Sequence, residues 1–121
     1  MKETIALSES RPVAIEGDEW PFIVTVEWRP PTIGENFPPV VIFRVRQHAD
    51  GRRLVYGVRK PNTDGSSDPA FRGFHAGYLV PAAPAGNDEE TIRAIRRVAG
   101  VLQLPFLASE VIAKLPVKEL T

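Results

Sequence analysis

Apolar and polar residues alternate along the first two-thirds of the chain, and this period of two residues is typical of β-strands. The six strands predicted from it cover Thr4–Leu7, Arg11–Ile15, Trp20–Trp28, Val40–His48, Arg53–Arg59 and Phe74–Val80. The third strand is dense in β-branched and aromatic residues, which favour a buried sheet. We expect Phe22, Val24, Val26 and Trp28 to share its buried face.

The dipeptide Asp50-Gly51 lies between the fourth and fifth strands and predicts a tight hairpin turn. Asp-Gly favours a two-residue turn of type I′, which needs positive φ at both positions. Such a turn would place Ala49 opposite Arg52 and Phe43 opposite Val58. In that register, one face of the hairpin is apolar. The other face carries Arg44, Arg46, His48, Arg53, Val55 and Arg59.

The last third of the chain changes to helical spacing and predicts two helices. The first begins after Asn87, whose side chain is a predicted N-cap, with acidic residues in the first turn. Its predicted buried stripe is Ile92, Ile95, Val98, Ala99 and Leu102. The second begins at Pro105 and buries Leu107, Val111 and Leu115. We therefore expect one α+β domain over residues 1–121: an antiparallel sheet of five to six strands with two C-terminal helices packed on one face.

The composition restricts the classes of protein to consider. The chain has 121 residues, of which 43% are hydrophobic and 25% charged, as in ordinary soluble domains. It contains no cysteine, which excludes disulfides, thiolate metal sites and cysteine nucleophiles. The longest uncharged apolar stretch, Val98 to Ser109, contains Pro105 and is too short to span a bilayer. We expect a cytoplasmic protein that does not bind membranes.

Charge is unevenly distributed, although the formal net charge is zero. Residues 41–60 contain six basic residues and one acidic residue, whereas residues 1–40 contain three basic and seven acidic residues. Arginine suits both phosphate and carboxylate groups. The hairpin therefore predicts a surface for a protein partner or nucleic acid, formed by Arg44, Arg46, His48, Arg53 and Arg59. The alternative is a solvated face whose arginines pair with acidic residues of the N-terminal strands.

The sequence shows no pattern that is typical of catalysis. His48 and His75 lie on different predicted strands and lack the spacing of metal ligands. Ser66 and Ser67 lie in a breaker-rich loop without the context of a nucleophile elbow. No glycine-rich phosphate loop is present. We expect a protein that is not an enzyme and that uses no metal or cofactor.

Two predicted loops carry side chains that suit recognition. The proline-rich loop after the third strand contains Phe37, and the loop before the sixth strand contains Phe71 and Arg72. Exposed aromatic residues beside arginine are common anchors of protein interfaces. The alternative is that Phe37 and Phe71 pack into the core as loop plugs.

Three stretches of the chain carry a resemblance to a known group of proteins. They are Val45–Arg52 running into Val55–Val58, then Ile92–Ala99, and finally Ala108–Pro116 followed by Glu119-Leu120. They resemble segments of uncharacterised small proteins of proteobacterial phages and plasmids. The resemblance implies an accessory protein of a mobile element that engages a host or phage macromolecule, and it implies no catalytic or ligand residue.

Together these patterns predict a non-catalytic small interaction protein, a phage- or plasmid-encoded accessory or inhibitor protein with a macromolecular partner. A protein partner is the first expectation. The alternative is a nucleic-acid-binding β-ribbon that uses the basic face of the 40–60 hairpin. A third interpretation is a homodimer formed through an exposed edge strand.

Overall fold

The computed structural model describes residues 1–8, 11–29, 40–60 and 75–116, without the side chains of residues 59, 60 and 75. In these residues every predicted strand and both helices are present, with ends that differ by a few residues. The strands are β1 (Lys2–Ile5), β2 (Val13–Glu16), β3 (Phe22–Trp28), β4 (Val40–Gln47), β5 (Arg53–Lys60) and β6 (His75–Val80). The helices are α1 (Asp88–Val101) and α2 (Phe106–Ala113), and a 3₁₀ turn covers Gly17–Glu19.

The fold is α+β, with two antiparallel sheets among the described residues. β3, β4, β5 and β6 form a meander in that spatial order, whereas β1 and β2 form a separate two-stranded sheet. The expectation of five to six strands in one sheet is therefore not confirmed. The first two strands pack over a face of the larger sheet, where they bury Ile5 and Ile15 against Leu54 and Tyr56.

The two helices pack on one face of the four-stranded sheet and form the main core there. Gly57 of β5 allows a close approach, because a Cβ at this position would lie 2.5 Å from the Leu102 side chain of α1. The predicted helical stripes are confirmed, except that Ile92 is only half-buried. The fully buried side chains of this core include Phe43, Val45, Val55, Ile95, Val98, Leu102, Leu107 and Val111.

The N-terminal hairpin, β1 with β2, packs on the opposite face of the larger sheet. Trp20 and the hairpin isoleucines form a second, smaller core there with Leu54 and Tyr56. The segment after β1 also reaches the edge of β6, where the Ser8 N–H donates to the Gly77 carbonyl at 2.8 Å. Both faces of β4 and β5 are consequently packed against other parts of the chain, and this decides where the hairpin arginines lie.

The predicted register of the β4–β5 hairpin is wrong by one residue. Gln47 lies opposite Arg53 and Phe43 opposite Gly57. The turn has three residues instead of two: the Gly51 N–H donates to the His48 carbonyl at 2.9 Å, and Gly51 takes a φ of 99°. This is the three-residue hairpin loop with glycine at the positive-φ position. Asp-Gly suits both loops, and a shift of one residue turns every β5 side chain to the other face.

The predicted face of β3 is also wrong at one position. The β3–β4 register shifts between Phe22 and Val24, so Phe22 lies opposite Arg46 and Val24 lies opposite Val45. This irregularity is a β-bulge, in which Ile23 is the extra residue. Val24 and Val26 are buried as expected, but Phe22 faces the other way and is 48% exposed.

The side chain of Asn87 does not cap α1 as predicted. Asn87 occupies the N-cap position, but its side chain forms no capping hydrogen bond to the first turn. Instead, its Nδ2 donates to the carbonyls of Gly51 at 2.8 Å and Pro81 at 3.0 Å. The side chain therefore ties the start of α1 to the β4–β5 turn, since the backbone there offers two accepting carbonyls.

Candidate interaction surface

Arg46, the central residue of the predicted basic face, is an internal connector. Its side chain is only 2% exposed, and its Nε donates to the Trp20 carbonyl at 2.7 Å. The two terminal nitrogens donate to the Glu3 carboxylate at 3.1 and 2.9 Å, and Nη2 also donates to the Gly17 carbonyl at 3.2 Å. Bidentate pairs of this kind are among the strong hydrogen bonds of proteins. Arg46 therefore joins β1 and the 3₁₀ turn to β4.

The Arg46–Glu3 pair shifts the ionisation of both residues toward their charged forms. The hydrogen bond from Arg46 lowers the pKa of Glu3 below its ordinary value of 4.5, against the effect of burial. Burial lowers the pKa of Arg46, but interactions with Glu3 and Tyr56 outweigh it and raise that pKa. The pair is thus ionised at neutral pH, and the charge of Arg46 is neutralised inside the fold.

Arg53 lies on the opposite face of the sheet from Arg46, under the start of α1. It is 7% exposed, and its Nη1 donates to Asp88 at 2.6 Å and to the Thr91 hydroxyl at 3.2 Å. Its Nε donates to the Gln47 side chain at 3.0 Å. Arg53 therefore holds α1 against β5, and the single face of arginines predicted from the hairpin is wrong. The cause is the three-residue turn, which reverses the faces of β5 relative to β4.

Arg44 and His48 are the predicted hairpin residues that keep partial exposure. Arg44 lies opposite Thr25 of β3 and Tyr56 of β5, and its guanidinium is 4.9 Å from the centre of the Phe22 ring. Its Nε is buried without a hydrogen-bond partner. His48 packs against Trp20, with the ring centres 5.1 Å apart. These two side chains lie near β3 and do not form a shared basic face along the hairpin.

The remaining predicted contacts cannot be placed. Phe37, Phe71 and Arg72 lie outside the described residues, as does the side chain of Arg59. The predicted loops that contain the two phenylalanines are therefore neither confirmed nor contradicted.

Aromatic side chains along β3 form a surface that the sequence pattern did not predict. Phe22 begins the strand and is 48% exposed, and Phe106 of α2 is 55% exposed. Phe106 packs edge-to-face against Trp28 at the other end of β3, with ring centres 5.3 Å apart. The exposed residues Thr25 and Glu27 share the sheet face of Phe22, whereas Trp28 and Phe106 lie on the helix-packed face, so the two phenylalanines flank β3 from opposite faces. We call Phe22, Thr25, Glu27, Trp28 and Phe106 the β3 surface.

Sequence reasoning missed this surface because the residues from Phe22 to Val26 are nearly all apolar. Such a run gives no signal for a bulge, since either face could be the buried one. Phe106 was missed for a similar reason: it directly precedes Leu107, which is buried, at the start of a short apolar helix. The contact between Trp28 and Phe106 joins residues distant in sequence, which a local pattern cannot show.

β3 is also the outer strand of the four-stranded sheet. It pairs with β4, and no strand among the described residues pairs with its other side. An outer strand presents free backbone N–H and C=O groups that can bind another extended chain. β3 thus combines exposed aromatic rings with an edge that no other described strand covers.

The described parts of the chain also lack two specific features. No group of three or more His, Cys, Asp or Glu residues there could hold a metal ion. Likewise, none of the described helices is both long enough and apolar enough to cross a bilayer.

Comparison with known proteins gives no relative for this chain. No protein-family model, curated protein or solved structure matches it. Function must therefore be inferred from the side chains and backbone groups described above.

Proposed function

We propose that this chain is a non-catalytic interaction protein that binds a protein partner along the β3 surface. The observation that carries the proposal is the pair of exposed phenylalanines at the two ends of an outer strand, with Phe22 48% and Phe106 55% exposed. Exposed aromatic residues are common anchors of binding energy at protein interfaces. The accessory or inhibitor role stays a prediction from the resemblance to phage and plasmid proteins, since no family model or curated protein matches the chain.

The mode of binding that best fits the surface is the addition of a strand from the partner. Backbone hydrogen bonds along the free side of β3 would supply affinity, and side-chain contacts would supply specificity. Trp28 and Phe106 already pack edge-to-face, so their rings are partly fixed before a partner arrives. Fixed side chains lose less conformational entropy on binding, which favours affinity.

The nucleic-acid alternative has less support. Its basis was a single basic face, but Arg46 and Arg53 lie on opposite faces and are paired with Glu3 and Asp88. Arg52 is paired with Asp50 at 2.7 Å. Arg44 lies beside Phe22 of the β3 surface. Among the predicted basic residues whose side chains are described, it alone forms no ion pair with a described residue. One such arginine is a weak basis for binding a phosphate backbone.

Affinity capture with matched variants tests the proposal. The tagged protein, a Phe22→Ala/Phe106→Ala variant and a Leu79→Ala variant are each incubated with bacterial lysate, and the retained proteins are quantified by mass spectrometry. Leu79 is the control because it is also apolar and 40% exposed, but lies on β6 at the other edge of the sheet.

We expect a partner that is retained by the wild type and by Leu79→Ala, and lost by the double phenylalanine variant. Circular dichroism must show that all three proteins are folded. Equal retention by all three would contradict the β3 surface, and retention of nucleic acid alone would favour the alternative. Enrichment of the chain's own untagged copy would indicate a homodimer.

A further inference from the structure

A groove beside the start of β3 is lined by both apolar and acidic side chains. It lies between the 3₁₀ turn and the ends of β3 and β4, and its volume is about 600 Å³. This is within the range of roughly 300–1,000 Å³ that is usual for ligand sites. Its lining includes Asp18, Glu19, Pro21, Ile23, His48 and Ala49.

The lining of the groove is divided between apolar and acidic groups. Pro21, Ile23 and Ala49 supply carbon surface, and Ile23 is held in place because it also packs against the main core. Asp18 and Glu19 supply two exposed carboxylates from the 3₁₀ turn. Lysine and arginine match this combination, since each has an apolar stem and a charged end.

The charges around the groove leave a negative excess. Among the described residues, Asp18 forms no ion pair, and the one partner of Glu19 is His48, with Oε2 3.8 Å from Nε2. The nearby Arg52 is already paired with Asp50 at 2.7 Å, so it does not neutralise the two carboxylates. A cationic side chain would therefore find two carboxylates whose charge no arginine or lysine in the described part of the chain offsets.

The groove adjoins the start of β3, since Pro21 and Ile23 on either side of Phe22 line it. Ile23 is the bulge residue and lines the groove, and regular pairing of β3 with β4 resumes at Val24. A bulge at a sheet edge can redirect one side chain away from the regular strand. A segment paired with the outer side of β3 would thus end beside the groove.

We propose that this groove binds a lysine or arginine side chain of the partner segment that pairs with β3. The inference rests on the proposed function and gives the partner's chemistry: an extended segment with a basic residue at the end that lies near Pro21. The stem of that residue contacts Pro21, Ile23 and Ala49, and its charged end lies between Asp18 and Glu19.

Selection from a random peptide library displayed on phage tests the inference with a defined probe. The library is selected on the immobilised wild-type protein, and synthetic copies of the enriched peptides are then titrated against three proteins. These are the wild type, an Asp18→Asn/Glu19→Gln variant and a Glu90→Gln/Glu110→Gln control. The control removes the same charge from two exposed helical positions outside the groove.

We expect enriched peptides to carry a lysine or arginine among β-branched or aromatic residues. The groove variant should bind them roughly tenfold more weakly, a loss of ~1.4 kcal/mol, whereas the control should bind as the wild type does. Peptides without a basic residue, equal binding by the groove variant, or the absence of any enriched peptide would overturn the inference. If peptides bind the groove variant normally but are lost with Phe22→Ala/Phe106→Ala, the proposed function stands without the groove.

Discussion

Arg46 was predicted to lie on an exposed face of β4, but its buried side chain connects separate parts of the fold. Its side chain reaches three acceptors from two other parts of the chain: the Glu3 carboxylate and the carbonyls of Gly17 and Trp20. The carboxylate is partly exposed whereas the guanidinium is almost fully buried. The two partners therefore differ in how much the fold loses when each is replaced.

Replacement of Arg46 should destabilise the protein more than replacement of Glu3. Arg46→Met keeps much of the apolar stem but leaves two carbonyls and a carboxylate without their donor, at a cost of about 1.5–3 kcal/mol. Glu3→Gln keeps an accepting oxygen for Arg46, so a smaller loss is expected. Urea unfolding followed by circular dichroism measures both. A larger loss for Glu3→Gln, or no loss for Arg46→Met, would contradict the buried connector.

The Glu3–Arg46 pair should also make stability depend on pH in a defined direction. The pKa of Glu3 is lowered from 4.5 in the folded protein, chiefly by the hydrogen bond from Arg46. A lowered folded-state pKa gives stability that is present above the unfolded-state pKa and is lost as pH falls through the folded-state pKa. The free energy of unfolding of the wild type should therefore exceed that of Glu3→Gln at neutral pH and approach it on acidification below pH 4.5.

Unfolding midpoints in urea, measured for the two proteins over a series of acidic buffers, test this dependence. Asp50 also has a lowered pKa, because the Arg52 backbone N–H donates a hydrogen bond to it, and it acts in the same direction in both proteins. A constant difference between wild type and Glu3→Gln across the series would contradict the assigned role of Glu3.

At the scale of secondary-structure elements, the β4–β5 turn decides which face each β5 side chain occupies. The turn depends on Gly51, whose φ of 99° is rare for residues with a side chain. A Cβ there would also lie 3.4 Å from the Ala82 side chain, which is ordinary contact. A substitution at Gly51 is therefore expected to destabilise the protein mainly through backbone strain and not through steric crowding.

Two glycine substitutions should change stability in opposite directions. Gly51→Ala should destabilise the protein by about 1–2 kcal/mol, because alanine is strained at positive φ. Gly100→Ala should stabilise it by about 0.5–1 kcal/mol, because Gly100 lies in α1 and a Cβ there would meet no atom within 4 Å. Thermal and urea unfolding of the two variants test this pair, and a Gly51→Ala protein as stable as the wild type would contradict the described turn.

The elements and the packing of both helices on one face of the sheet could be predicted from sequence, but the strand registers and the separate N-terminal sheet could not. Alternation located all six strands, and helical spacing identified buried positions such as Ile95, Val98 and Val111. The predicted β4–β5 register was wrong because Asp50-Gly51 suits hairpin loops of two and of three residues. The bulge at Ile23 was not predicted because the residues around it are apolar on both faces of the strand. The position of the N-terminal hairpin depends on tertiary packing, which local patterns do not contain.

At the scale of the whole molecule, part of the basic excess of residues 41–60 is offset by acidic residues of other elements. Arg46 pairs with Glu3 and Arg53 with Asp88, so two of the six basic residues of this segment are balanced from other elements, whereas Arg52 pairs with Asp50 inside the same segment. The alternative of a solvated arginine face paired with N-terminal acidic residues was thus correct for one partner, Glu3. It was wrong about solvation, because the Arg46 side chain is buried.

This internal pairing predicts weak binding to nucleic acid. At low ionic strength, duplex DNA should bind this protein no more tightly than it binds other proteins of zero net charge, since Arg46, Arg52 and Arg53 are each paired with a carboxylate and are not available to displace counterions. Fluorescence anisotropy with a labelled duplex, measured over a range of salt concentrations, checks this prediction. Tight binding that weakens steeply with salt would show that the remaining basic residues form a nucleic-acid surface.

The measurement that tests the central claim most directly is the register of the β4–β5 hairpin, because it places Arg46 and Arg53 on opposite buried faces. Nuclear Overhauser contacts between backbone protons of paired residues report it in solution. We predict cross-strand contacts of Val45 with Val55 and of Gln47 with Arg53, as in the described pairing. Contacts of Val45 with Tyr56 and of Gln47 with Leu54 in their place would restore a shared arginine face and contradict this account.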